Sequence, residues 1–392
     1  MGRGTTSSSR VLRALCATVF VDLLGFTLVL PSLPFYVARL GGGGVWLGVL
    51  LTGYSLAQSL AAPLLGRLAD RHGRRLLLLL SLAGSTVSLL VMGLAGSLLL
   101  LLGARLVAGV CGGSIGVSQA FAADVTAPAE CTKVMGWIGA ATGLAFTIGP
   151  ALGALAAPLG FGTVASVAAG LAAVNFVFAW VTLPGAGPGR TRPSGNGASR
   201  RLVAPWPLLV VGFTGMVAFV SMETTVALLA GHRFGAGPGF VGLMLCLAGL
   251  ALVVVQGVGI GAAARRWGET RVAASGAMLM TLGLLVLPVV PVPVFVAAVV
   301  LLSVGYGLTT AIVAGMLATS GPAEQRGARM GQGQSAAAVA RAVGPLSAGA
   351  LFDLTAWLPY VIGAGLGAAA AIVLSLQSTT VHNRVSADDA RS

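Results

Sequence analysis

Charge is what this chain has least of. Only 8% of its 392 residues are Asp, Glu, Lys or Arg, whereas 56% are hydrophobic and the mean hydropathy is +0.95. Ordinary globular domains carry about 25% charged residues, so a water-soluble fold of this size is excluded. Lipid, unlike water, solvates an apolar exterior. Acidic residues number ten against 23 basic ones, giving a net charge of +13. Such an excess can signal nucleic acid, but the arginines come in short clusters between apolar runs, with no basic face interleaved with aromatics, so no nucleic-acid partner is expected. Lys133 is the single lysine. Cys16, Cys111, Cys131 and Cys246 are scattered without metal-ligand spacing, which argues against a disulfide framework or a metal centre. Three of them lie in apolar runs and read as small hydrophobes. His72, His232 and His382 fall in loops or the tail. With no nucleophile–base pair and no GxxxxGK[ST] phosphate loop, neither an enzyme, a cofactor nor ATP coupling is expected.

What is present is apolar length. Runs of about 20 residues, enough to cross a bilayer, fall at 12–38, 45–66, 76–96, 98–123, 134–157 and 161–183, then at 206–231, 239–263, 272–291, 293–319, 332–353 and 356–378. The expected fold is all-α and membrane-embedded, twelve transmembrane helices in two six-helix bundles related by a pseudo-twofold axis. Residues 1–183 form the first bundle, 206–378 the second, and 379–392 a disordered tail like the Ser-rich first dozen residues. Between the bundles, 184–205 has the Gly, Pro, Ser and Arg content of a flexible linker. The N-terminal arginines and apolar run resemble a signal peptide, yet the run reaches Val37, contains Asp22 and lacks a small-residue cleavage site. It reads as an uncleaved first span.

Counting arginines and the one lysine gives the orientation. With the N-terminus cytoplasmic, 19 of the 23 basic residues face the cytoplasm, Arg39 and Arg233 lie outside, and Arg105 and Arg341 fall within spans. That is the positive-inside asymmetry, with both termini inside. The chain also repeats itself. GRLADRHGRR at 66–75 aligns with GAAARRWGET at 261–270, and the same offset of 195 places Gly136, Gly149 and Pro150 on Gly331, Gly344 and Pro345; APAE (127–130) matches GPAE (321–324). Repeats of six spans keep one membrane orientation and are parallel, as in transporters whose halves rock about a midplane site.

The loop Gly66-Arg67-Leu68-Ala69-Asp70-Arg71-His72-Gly73-Arg74-Arg75 resembles the signature loop of the major facilitator superfamily. Read physically, Gly66 lets two helices approach, Gly73 makes the turn, and Asp70 can face a helix N-terminus. The resemblance implies a conformational latch of Asp70, Arg74 and Asp124, on one side only because Arg265 stands where Asp70 would recur. Gly139–Gly143 followed by Gly149-Pro150-Ala151-Leu152-Gly153 is similar to the fifth-span motif of proton-driven antiporters, where small residues permit close helix contact. Asp22, Gly25, Pro31 and Pro34 resemble the opening helix of the tetracycline/proton antiporters and their drug-efflux relatives. Arg105 with Gly109 is similar to the family's fourth-span motif, whose Arg influences proton movement.

Asp22 and Glu223 are the carboxylates placed well inside spans, and Arg105 and Arg341 the matching cations. Such groups are costly in lipid and mark function by default. They can neutralise one another as structural pairs, or a carboxylate can load and release a proton. The arginines can equally hold an anion. Gln58, Gln119, Asn175 and Gln256 offer hydrogen bonds within spans, and Tyr54 and Tyr306 are candidates to line a cavity. The expectation is therefore a monomeric secondary transporter of the bacterial inner membrane, exporting an amphipathic or drug-like molecule against protons. The alternative is an importer or facilitator of a metabolite or organic anion on the same fold.

Overall fold

A computed structural model describes residues 3–126, 131–184, 205–320 and 326–389. Its helices, in chain order, are α1 (Arg3–Val29), α2 (Leu33–Arg39), α3 (Gly44–His72), α4 (Arg74–Leu94), α5 (Leu98–Cys111), α6 (Ser114–Val125), α7 (Cys131–Ala156) and α8 (Phe161–Thr182). They continue as α9 (Trp206–Phe234), α10 (Pro238–Val254), α11 (Ile260–Trp267), α12 (Glu269–Val286), α13 (Val292–Thr319), α14 (Arg326–Leu354) and α15 (Leu358–Asp389). Among the described residues twelve helical segments are long and apolar enough to cross a membrane, at the expected places.

Three spans are broken, each for a local reason. The first passes from α1 to α2 through a turn in which Ser32 N–H bonds the Val29 carbonyl. Pro31 has no N–H with which to continue the helix there. The fourth passes from α5 to α6 at Gly112-Gly113. In the eighth, a π-helical turn over Val255–Gly259 separates α10 from α11. The ninth ends earlier than expected, at Val286 rather than near 291, because Pro288 and Pro291 follow. The chain ends are more regular than composition suggests. Backbone helix begins at Arg3 and runs to Asp389, where disorder was expected, since extending a formed helix is far cheaper than nucleating one.

Two compact units divide the chain: Met1–Gly42, Val49–Asn196 and Gly235–Cys246 in one; Gly43–Gly48, Gly197–Phe234 and Leu247–Ser392 in the other. The short exchanged pieces follow close packing. A Cβ at Gly48 would lie 2.5 Å from the Pro345 carbonyl, and the Asp353 carboxylate accepts the N–H groups of Gly44 and Val45 at 2.7 and 2.8 Å. Likewise a Cβ at Gly242 would lie 2.4 Å from the Pro150 carbonyl.

Inside the first unit α1 packs on α7 and α8, and α4 on α8 and α5. Inside the second, α9 packs on α14 and α15, and α12 on α15 and α13. These are the same pairings, span for span, so the sequence repeat is a repeat of packing. The first core gathers Leu15, Val19, Leu77, Leu82, Phe121 and Ile138; the second gathers Val211, Ala273, Ala277, Val313 and Leu374. Large apolar side chains such as Leu60, Leu94, Leu155, Val181 and Val289 stand exposed, which lipid tolerates and water does not.

Candidate functional site

In the first unit, four spans converge on Asp22. On α1, Asp22 and Phe26 are four residues apart and share a helix face; on α3, Tyr54 and Gln58 do the same. With Ser85 and Ser88 of α4, Arg105 of α5 and Ser114 of α6 they line a chamber of about 40 Å3. Ser114 Oγ donates to Asp22 Oδ2 at 2.5 Å, and Ser85 is a second hydrogen-bond partner of the carboxylate. Gln58 donates to the Gly112 carbonyl at 2.8 Å, satisfying an acceptor that the break in the fourth span frees. Gly109 lets α5 approach, since a Cβ there would lie 2.4 Å from the Tyr54 carbonyl.

Arg105 is 1% exposed, yet its Nε and Nη2 have no hydrogen-bond partner. Its Cζ lies 5.5 Å from the Phe26 ring centre and 6.0 Å from that of Tyr54, two rings stacked at 5.0 Å. Cation–π attraction offsets part of the cost of burial. Asp22 and Arg105 share the chamber without forming an ion pair, so structural neutralisation does not account for them. Ser114 and Ser85 escaped the sequence reading. The readable signal was a hydroxyl directly after the Gly-Gly break, facing a span that carries a lone carboxylate.

The second unit holds Glu223 of α9, Tyr306 of α13 and Arg341 of α14 within electrostatic range of one another. Tyr306 Oη donates to Met216 Sδ at 2.8 Å and its ring stacks on Phe219 at 4.0 Å. Tyr306, Thr310, Gln334 and Arg341 line a cavity of about 210 Å3. Glu223 has an exposed side chain and forms no ion pair with Arg341. None of the four span-embedded charges, Asp22, Glu223, Arg105 and Arg341, therefore forms a salt bridge with another.

At the signature loop Asp70, Arg74 and Asp124 meet. Arg74 Nη2 lies 2.9 Å from Asp70 Oδ1 and Arg74 Nε 2.9 Å from Asp124 Oδ2. Asp70 and Asp124 sit in the last turns of α3 and α6 and Arg74 in the first turn of α4, each on the end its helix dipole disfavours. Helix stability does not explain that placement; the three-way contact does. Gly73 turns the chain at φ +93°, and its repeat counterpart Gly268 at +84°. Gly66 departs from expectation: a Cβ there would meet nothing within 4 Å, so it makes no close helix approach. The paired APAE and GPAE loops lie outside the described residues.

Gly149 and Gly153 of the fifth span are contact points on the first span, whereas a Cβ at Gly139 would meet nothing within 4 Å. A Cβ at Gly149 would lie 1.9 Å from Thr27 Oγ1, and one at Gly153 2.2 Å from the Leu28 carbonyl. Thr27 in turn donates across the interface to the Ala145 carbonyl at 3.0 Å. Pro150 lies inside α7, buried, and Gly143 is half-buried, its carbonyl accepting from Thr147. Gly344 repeats the theme against Val220 of α9 at 3.2 Å. Asn175 donates to the Thr18 carbonyl at 2.9 Å, an interhelical tie, whereas Gln119 and Gln256 are exposed.

The model of the Major Facilitator Superfamily matches residues 15–236 and 211–391. The class E tetracycline resistance protein of Escherichia coli is 29% identical over 374 residues, covering 91% of this chain and 92% of its own length. Major facilitator superfamily domain-containing protein 10 of Bos taurus is 30% identical over 413 residues, covering 88% of each. The crystal structure of the human organic anion transporter MFSD10 (TETRAN) superposes with a TM-score of 0.67 at 27% identity, over 94% of this chain and 99% of that one. Twelve apolar helices, a duplicated packing plan and these matches lead to one assignment: the chain belongs to the major facilitator superfamily and is an integral membrane transporter of that fold.

Proposed function

We propose that the protein is a proton-coupled exporter of small amphipathic molecules, working by alternating access in a bacterial inner membrane with both termini cytoplasmic. The observation that carries the reading is Asp22: a carboxylate within a span, held by Ser114 and Ser85 but not neutralised by the arginine in its own chamber. A permanently paired carboxylate has no reason to exchange a proton, whereas one held only by hydroxyls can. Glu223, beside Tyr306 and Arg341 without a salt bridge, is a second carrier. The Asp70–Arg74–Asp124 cluster acts as a conformational latch, and the fifth-span glycines keep the first and fifth spans moving as one body. Similarity to tetracycline resistance proteins supports export; the two unpartnered nitrogens of Arg105 favour an alternative, organic-anion import or facilitation.

Cellular accumulation tests the direction. Cells expressing the chain should accumulate less of a fluorescent aromatic solute, from a panel including ethidium and fluorescein, than cells expressing the Asp22→Asn/Glu223→Gln double variant, and a protonophore should erase the difference. Higher accumulation in expressing cells would replace export with import.

A further inference from the structure

The chamber of the first unit holds two opposite charges that do not meet. Asp22 is engaged by hydroxyls, while Arg105, 1% exposed, leaves Nε and Nη2 without a partner. A buried guanidinium with two unsatisfied nitrogens is costly, and within a span it requires a partner. The side chain that supplies Nε and Nη2 as parallel donors matches a carboxylate bidentately, where an ammonium would act only as a point charge. Size limits what enters. A water needs roughly 10–15 Å3 of such space, so a chamber of about 40 Å3 takes a carboxylate headgroup but not a whole solute. The stacked rings of Phe26 and Tyr54 beside Arg105 offer an aromatic wall to the atoms next to that headgroup.

We infer that this chamber is an anion subsite, in which the Arg105 guanidinium receives the carboxylate of an aromatic organic acid. The inference rests on the transporter reading above, but on neither its direction nor its coupling. Asp22, the other charge in the chamber, opposes a second anion, so neutralising it should not weaken binding.

Calorimetry on the purified full chain in detergent tests this with 1-naphthoate, its neutral counterpart 1-naphthamide, and sodium chloride. Naphthoate should bind at least tenfold more tightly than naphthamide. Arg105→Gln should remove that preference while leaving naphthamide unchanged, and Asp22→Asn should preserve or sharpen it. A preference that survives Arg105→Gln, or heat from chloride with none from naphthoate, would overturn the inference. Should Arg105→Gln fail to fold, Arg105→Lys decides: a preference reduced several-fold supports the bidentate subsite, and an undiminished one refutes it. A carboxylate preference that persists while pH-driven flux is absent would remove proton coupling alone.

Discussion

Substituting Gly149 by Ala should destabilise the first unit, although alanine is the better helix former by about 1 kcal/mol. The added methyl would stand 1.9 Å from Thr27 Oγ1 and 3.3 Å from the Leu28 backbone nitrogen. Thr27 cannot step aside freely, because its hydroxyl bridges to the Leu23 carbonyl at 2.8 Å and across to Ala145 at 3.0 Å. Forcing one methyl into a packed interface costs about 1–3 kcal/mol, and losing an interhelical hydrogen bond in a membrane protein about 0.6 kcal/mol. Set against the propensity gain, the net loss is about 0.6–2.6 kcal/mol. Gly139 lies on the same helix and supplies the control, since a Cβ there meets nothing within 4 Å. Gly139→Ala should be neutral or stabilising. Thermal unfolding of purified protein in one detergent compares the two directly. Equal stability for Gly149→Ala and Gly139→Ala would refute the claim that Gly149 is a packing contact on the first span.

Other substitutions probe the latch and the turns. Asp70→Asn removes one arm of the Arg74 bridge and should impair transport while membrane insertion, read by fractionation, stays intact; unimpaired flux would count against a latch. Gly73→Ala places a side chain at φ +93°, ψ 142°, a region essentially reserved for glycine, and should cost about 1–3 kcal/mol in thermal unfolding, with Gly268→Ala matching it in the second half. Asp353→Ala removes the acceptor of the Gly44 and Val45 N–H groups and should cost about 1 kcal/mol in the same assay.

Much of the architecture could be read from the sequence, because lipid imposes one rule on every span: its backbone bonds must close internally and its outside must be apolar. Hence twelve spans and the repeat at Gly149/Gly344 were visible as patterns, whereas the end of the ninth span, cut short at Val286, was not. The meeting of Asp70, Arg74 and Asp124 was legible only through the resemblance of the signature loop, since composition alone does not bring residues of three helix ends together. What escaped was side-chain pairing inside the chamber. Composition placed two carboxylates and two arginines in spans and allowed them to pair; the structure keeps Asp22 on Ser114 and leaves Arg105 beside Phe26 and Tyr54. Helical periodicity says which residues share a face, but not which of several faces meets another. Gly66 is the converse case, since a glycine in a motif signals space without saying whether a neighbour fills it.

Flux in proteoliposomes under an imposed pH gradient most directly tests whether Asp22 and Glu223 couple transport to protons. For at least one aromatic solute, acidifying the lumen, the compartment from which an antiporter draws protons and toward which solute moves, should accelerate its uptake. Reversing the gradient should reverse the flux, and Asp22→Asn/Glu223→Gln should abolish both responses. Flux of every transported solute that ignores the gradient would contradict coupling and leave a facilitator.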